Sequence, residues 1–126
     1  YHSRAMDMFV DFDFAASRRL PLLPETHPCA RVHGHTFMVR VTLRGAVDRR
    51  SGWMTDFGEV EAQLEQIKTE VDHRYLNDID GLGNPTTEII AEWLWRRLAG
   101  GVDGLFEIRV QEHPSRGVIY YGPGAS

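Results

Sequence analysis

Cys29, His33 and His35 fall within the seven residues CARVHGH of a chain that has no other cysteine. In an extended segment, residues two apart project from the same side. His33 and His35 therefore present both imidazoles together, with Gly34 leaving room between them. Neutral imidazole is a common zinc ligand, and such a pair can fill two corners of a tetrahedral site. A His-Gly-His triplet alone is weak evidence for that, and a single cysteine is more often a small buried apolar group than a nucleophile or base. Downstream, Asp72 precedes His73, and a carboxylate beside an imidazole can orient it and stabilise its charged form during proton transfer. Glu112 follows Ile108 and Val110 at strand spacing, which sets a carboxylate at a strand end. Thr86 and Thr87 stand at a helix start, where a hydroxyl can cap the helix or donate to a ligand. Taken singly, the commoner readings are a solvated dyad, a surface glutamate and a simple cap.

These side chains need a scaffold, and hydrophobic periodicity supplies one. FVDFDF, residues 9–14, alternates with Val10, Phe12 and Phe14 on one face and Asp11 and Asp13 on the other, the pattern of a half-buried strand. A loop with Pro21, Pro24 and Pro28 follows. HTFMVRVTLRG, residues 35–45, alternates again, Phe37, Val39, Val41 and Leu43 facing away from Met38, Arg40, Thr42 and Arg44. Phe57, Val60, Leu64, Ile67 and Val71 recur at helical spacing, so residues 56–71 read as an amphipathic helix. PTTEIIAEWLWRRL opens with a proline, a threonine cap and Glu88, a helix N-terminus that runs to Gly100 and Gly101. FEIRVQE and GVIYYG close the chain as two strands about the turn HPSRG. The order is strand, strand, helix, helix, strand, strand, which predicts an α+β domain: a four-stranded antiparallel sheet with both helices on one face. Arg40, Thr42 and Arg44 then line the helix-free face. A homo-oligomer that joins sheets would cover it, and a monomer with one wet face is also common.

Composition bounds the rest. At 126 residues the chain fits one domain, which we place at residues 8–122, with 1–7 and 123–126 as floppy ends. A lone thiol allows no internal disulfide and points to the cytoplasm. No apolar run is long enough to span a bilayer. A net charge of −4 argues against a nucleic-acid-binding surface, which needs a basic footprint. Thirteen of the fourteen basic residues are arginine, and Arg18 and Arg19 lie close in sequence to the Cys/His cluster, so a small phosphorylated ligand stays open.

In order, FDFAASRRLP, PETHPCARVHGHTF, GWMTDF, VDHRYLND, NPTTEIIAEWLW and VQE followed by YYG cover nearly the whole chain from Met8 to Gly122. Together they resemble the 6-pyruvoyltetrahydropterin synthase family, and within it the bacterial 6-carboxytetrahydropterin synthase branch. The resemblance implies the tunnelling fold, assembled into a barrel-forming trimer or hexamer with sites between subunits. It implies a lyase that converts 7,8-dihydroneopterin triphosphate to 6-carboxy-5,6,7,8-tetrahydropterin with loss of triphosphate and acetaldehyde, on the route to queuosine. It implies Zn2+ on His33 and His35, Cys29 as a proton-shuttling thiolate with His73 and Asp72 as its partners, and Glu112 as the pterin anchor assisted by Thr86 and Thr87. Arg18 or Arg19 would then meet the triphosphate. The three-residue interval between Cys29 and His33 resembles the carboxy-forming branch more than the pyruvoyl-forming one.

One position departs from the pattern. Family members carry a third zinc histidine in an AAHRLP-like segment, and here AASRRLP sets Arg18 at that place. A guanidinium has no lone pair to give a metal. Three readings stay open: His27 swings in as the third ligand, His33 and His35 bind metal weakly with waters, or Arg18 fills the site and supplies part of the metal's charge. The last would make the chain a pterin-binding relative with altered or little turnover.

Overall fold

The computed structural model describes residues 5–124. Strand β1 (Ala5–Arg18) pairs antiparallel with β2 (His33–Ala46) over its full length, from Ala5 opposite Ala46 to Arg18 opposite His33. Helix α1 (Phe57–Val71) follows, then a two-residue strand β3 (Arg74–Tyr75), helix α2 (Thr87–Leu98), β4 (Leu105–His113) and β5 (Arg116–Tyr120). The sheet order is β3-β1-β2-β4-β5. It has five strands, one more than the periodicity predicts. The extra strand β3 runs parallel to Ala16 and Ser17 of β1 and is too short to carry an alternation signal.

The first strand is also longer than the FVDFDF pattern suggests. At its start Ala5, Met6 and Asp7 pair with Ala46, Gly45 and Arg44, so the strand includes three residues before Met8. At its end the alternation of Phe14 and Ala16 continues into Arg18, so this arginine sits on the strand, facing the helices, and not in the loop. Of the proposed floppy ends, residues 1–4 and 125–126 lie outside the described residues.

Both helices pack on one face. The stripe Val60, Leu64, Ile67 and Val71 of α1 and Ile90, Ala91, Leu94 and Leu98 of α2 close over Phe14, Phe37, Val39, Val41, Ile108 and Val110 of the sheet. Each fully buried large side chain contributes about 1.5–3 kcal/mol, so this single core carries the fold. Helix α1 starts at Asp56, whose carboxylate accepts from the Gly58 N–H at 2.8 Å, and α2 at Thr86, whose hydroxyl accepts from the Ile89 N–H at 3.1 Å.

On the helix-free face the aspartates of β1 meet the arginines of β2 in register. Arg44 grips Asp7 and Arg40 grips Asp11 through two hydrogen bonds each, at 2.7 and 2.9 Å in both pairs. The guanidinium carbons stack 3.6 Å from the Phe106 ring centre and 3.7 Å from that of Phe9. Gly104 turns the chain into β4 at φ 76°, and a Cβ there would stand 2.7 Å from the Arg44 carbonyl oxygen, so the position requires glycine. Among the described residues, no helix is long and apolar enough to cross a membrane.

Candidate functional site

The strand register brings Arg18, His33 and His35 to the same end of the β1–β2 pair, with Arg18 opposite His33 and Ala16 opposite His35. Glu112 arrives from the end of β4 and Thr87 from the first turn of α2. Arg18 is only 3% exposed, and burying an arginine is costly unless its charge is paired and most of its donors are met. Its Nη1 donates to the Pro85 carbonyl at 3.1 Å and to Thr87 Oγ1 at 3.3 Å, and its Nη2 forms an ion pair with Glu112 Oε2. Thr87 Oγ1 in turn donates to the same Glu112 oxygen at 3.1 Å. The guanidinium also lies 5.0 Å from the Phe37 ring centre. Arg18 Nε is buried without a partner.

Charge states follow from this arrangement. Burial alone would raise the Glu112 carboxyl, but the Arg18 charge and the hydrogen bonds from Arg18 and Thr87 outweigh it and hold the group below its ordinary value. His35 is pushed down, first by burial and then by the Arg18 charge, with Glu112 opposing. The His33 Nδ1 lies 2.8 Å from the Arg31 carbonyl oxygen. A carbonyl only accepts, so Nδ1 carries the proton of the neutral ring and Nε2 the lone pair. That Nε2 is buried and unpartnered. The two imidazoles meet edge to face with ring centres 5.0 Å apart.

His33 alone has the character of a metal ligand, its second nitrogen fixed by a carbonyl. The set as a whole does not. A catalytic zinc takes three protein donors; His33 and His35 offer two, and opposite His33 stands the Arg18 guanidinium, engaged with Glu112. His27 does not complete the set, because its Nδ1 accepts from the Cys29 N–H at 3.0 Å and caps the short 3-10 turn Pro28–Ala30. Among the described residues no three of His, Cys, Asp and Glu cluster so as to hold a metal ion. The residues do not fit a resident zinc.

Asp72 and His73 form a separate unit. Asp72 ends α1, and its Oδ1 accepts from the Ala15 N–H at 2.9 Å while its Oδ2 lies 3.1 Å from His73 Nδ1. The Ala15 hydrogen bond is the chief cause of an Asp72 carboxyl below its ordinary value, with His73 adding to it. His73 adopts φ 58°, a left-handed conformation, and its side chain is 81% exposed. Cys29 is half-buried with a free thiol.

The two threonines divide their roles. Thr86 is the helix cap, and Thr87 belongs to the charged cluster. Arg18 does not reach outward to a phosphate as its position beside Arg19 suggests, since its donors are turned inward. Arg19 is exposed, with Nε donating to the Ala30 carbonyl at 3.0 Å. Sequence reasoning missed Phe37, the Pro85 carbonyl and Arg116, whose Nε stands 3.6 Å from Glu112 Oε1 across the β4–β5 turn. Phe37 was findable, because it continues the face of His33 and His35; nothing in the sequence marks a carbonyl.

Comparison with known proteins gives this arrangement a context. Residues 7–123 match the family model for 6-pyruvoyl tetrahydropterin synthase. A 6-carboxy-5,6,7,8-tetrahydropterin synthase from Synechocystis sp. is 36% identical, over 94% of this chain and 95% of the relative. A dihydroneopterin monophosphate aldolase from Pyrococcus furiosus is 37% identical over 58% of this chain and 60% of its own length. The 6-pyruvoyl tetrahydropterin synthase structure from Caenorhabditis elegans superposes with a TM-score of 0.89 at 25% identity, covering 97% of this chain and 99% of that one. The chain belongs to the 6-pyruvoyl tetrahydropterin synthase family.

Proposed function

We propose that the chain is a lyase that converts 7,8-dihydroneopterin triphosphate to 6-carboxy-5,6,7,8-tetrahydropterin, releasing acetaldehyde and triphosphate, in the route to queuosine. The observation that carries this reading is the Asp72–His73 dyad. An exposed imidazole held by a carboxylate, in a backbone conformation that costs a non-glycine residue about 1 kcal/mol, is a tool for moving protons and not a packing element. The 36%-identical relative supports the carboxy-forming outcome.

Chemistry of the dihydropterin makes such a base sufficient for the first step. The C1′–H bond of the side chain lies next to the ring C6=N5 imine, which takes up the electrons when the proton leaves. His73 Nε2 would accept that proton, with Asp72 stabilising the imidazolium, and Cys29 would serve as the second proton carrier. Glu112 and Thr87 would meet the N–H edge of the pterin. We place the protein in the cytoplasm as a homo-oligomer, with exposed Phe9, Trp53, Ile119 and Tyr121 supplying apolar surface for the contact between copies.

A second reading is favoured by one observation: Arg18 already occupies a Glu112 oxygen that a pterin would need. On that reading the chain binds a pterin with little turnover. Incubating the protein with 7,8-dihydroneopterin triphosphate and resolving products by mass spectrometry separates the two. Carboxypterin formed by the parent chain and lost in His73→Ala supports the lyase. A pyruvoyl product would move the chain to the other branch, and pterin bound without any product would sink the lyase reading.

A further inference from the structure

We propose that Arg18 is the resident cation of this site, and that the site works without a divalent metal ion. Three observations carry the inference. First, the guanidinium is built in: it is buried, its two terminal nitrogens are satisfied by Pro85, Thr87 and Glu112, and it stands over the Phe37 ring. Swinging it aside to admit a metal would leave Glu112 to the exposed Arg116, 3.6 Å from its other oxygen, and would strip the guanidinium of its buried partners. Second, it stands on the same sheet face as the imidazoles, directly across the strand pair from His33. A dication held by His33 and His35 would meet a fixed positive charge at close range in a poorly solvated setting. Third, the carboxylate that would offset a dication is already neutralised, because Glu112 accepts from both Arg18 and Thr87. One residue therefore decides between two versions of the same pocket: a guanidinium paired with Glu112, or a third nitrogen donor beside His33 and His35.

The inference deepens the lyase reading but is tested by metal binding itself, so that absence of pterin turnover leaves it standing and an unexpected metal leaves the lyase standing. The experiment counts zinc in the full chain by plasma mass spectrometry and measures zinc affinity by competition with a chromophoric chelator. Parent, Arg18→His and Arg18→His with His33→Ala are compared. Arg18→His is expected to take up about one zinc per chain, about a hundredfold or more tighter than the parent, and His33→Ala to abolish the gain. A folded Arg18→His protein with no gain in affinity overturns the inference, because the arginine would not be what keeps the metal out. Should Arg18→His fail to fold, the parent decides alone through His33→Ala/His35→Ala. Zinc uptake unchanged by the double substitution supports the inference, and stoichiometric zinc lost with it overturns it.

Discussion

Replacing Arg18 by methionine keeps a long side chain in the core while removing the charge, and so isolates what the Arg18–Glu112 pair contributes. The change leaves Glu112 with the Thr87 hydroxyl and an ion pair to the exposed Arg116 at 3.6 Å. Breaking a buried ion pair from one side costs about 3–5 kcal/mol. Glu112 keeps some water, its side chain being 21% exposed, and Arg116 remains beside it, so we expect less than that, about 2–3 kcal/mol. For a domain of this size that lowers Tm by roughly 10 °C. The pH dependence has a definite sign. In the parent the Glu112 carboxyl sits below its ordinary value. Its contribution is therefore complete above the unfolded-state pKa of about 4.3 and fades as pH falls through the lower folded value. In Arg18→Met the lowering charge is gone and burial dominates, so the carboxyl moves up and acid relieves the variant. The gap between parent and variant should be widest near about pH 7 and narrow toward about pH 4. Urea unfolding followed by tryptophan fluorescence gives both stabilities, and the Arg18→Met/Glu112→Gln double variant completes the cycle. We expect the double variant to be more stable than the sum of the single losses predicts, by about 1–2 kcal/mol. Losses that add to within about 0.5 kcal/mol, or a gap that does not change with pH, would refute the reasoning.

Other consequences are simpler. Thr86→Ala removes the α2 cap and should cost about 1 kcal/mol, read as a lower urea midpoint with unchanged pterin affinity, whereas Thr87→Ala should weaken both. Gly104→Ala combines a positive φ with a Cβ 2.7 Å from the Arg44 carbonyl, and should lower stability by about 2–3 kcal/mol in thermal melts. His73→Ala should leave the fold intact by circular dichroism and reduce turnover at least about a hundredfold. Asp72→Ala should also reduce turnover and additionally loosen the α1 end, because it removes the oxygen that accepts from the Ala15 N–H.

Local patterns in the sequence were enough to find the elements that carry the core. The alternation of Phe37, Val39, Val41 and Leu43 marks β2, the stripe from Val60 to Val71 marks α1, and the Pro-Thr-Thr-Glu start marks α2, because each depends on neighbours within a few residues. The adjacent pair Asp72 and His73 was legible for the same reason. What escaped were features set by distant chain. The two-residue β3 exists only because Arg74 and Tyr75 land beside Ala16 and Ser17. The burial of Arg18 depends on Glu112, ninety-four residues away, and on a carbonyl at Pro85. A strand periodicity that tolerated one charged residue would have carried β1 through to Arg18, where the pattern Phe14, Ala16, Arg18 continues unbroken. The family resemblance implies a histidine where this chain has Arg18; the fold shows that the arginine there points at the Glu112 carboxylate.

The most direct test of the account is turnover of 7,8-dihydroneopterin triphosphate by the full chain in the presence of a strong zinc chelator, with metal content counted in the same sample. The account predicts carboxypterin formation at a rate the chelator does not change, from protein that holds no stoichiometric zinc. Product that appears only when zinc is restored would contradict the role given to Arg18. Bound pterin with no product in either condition would contradict the lyase reading itself.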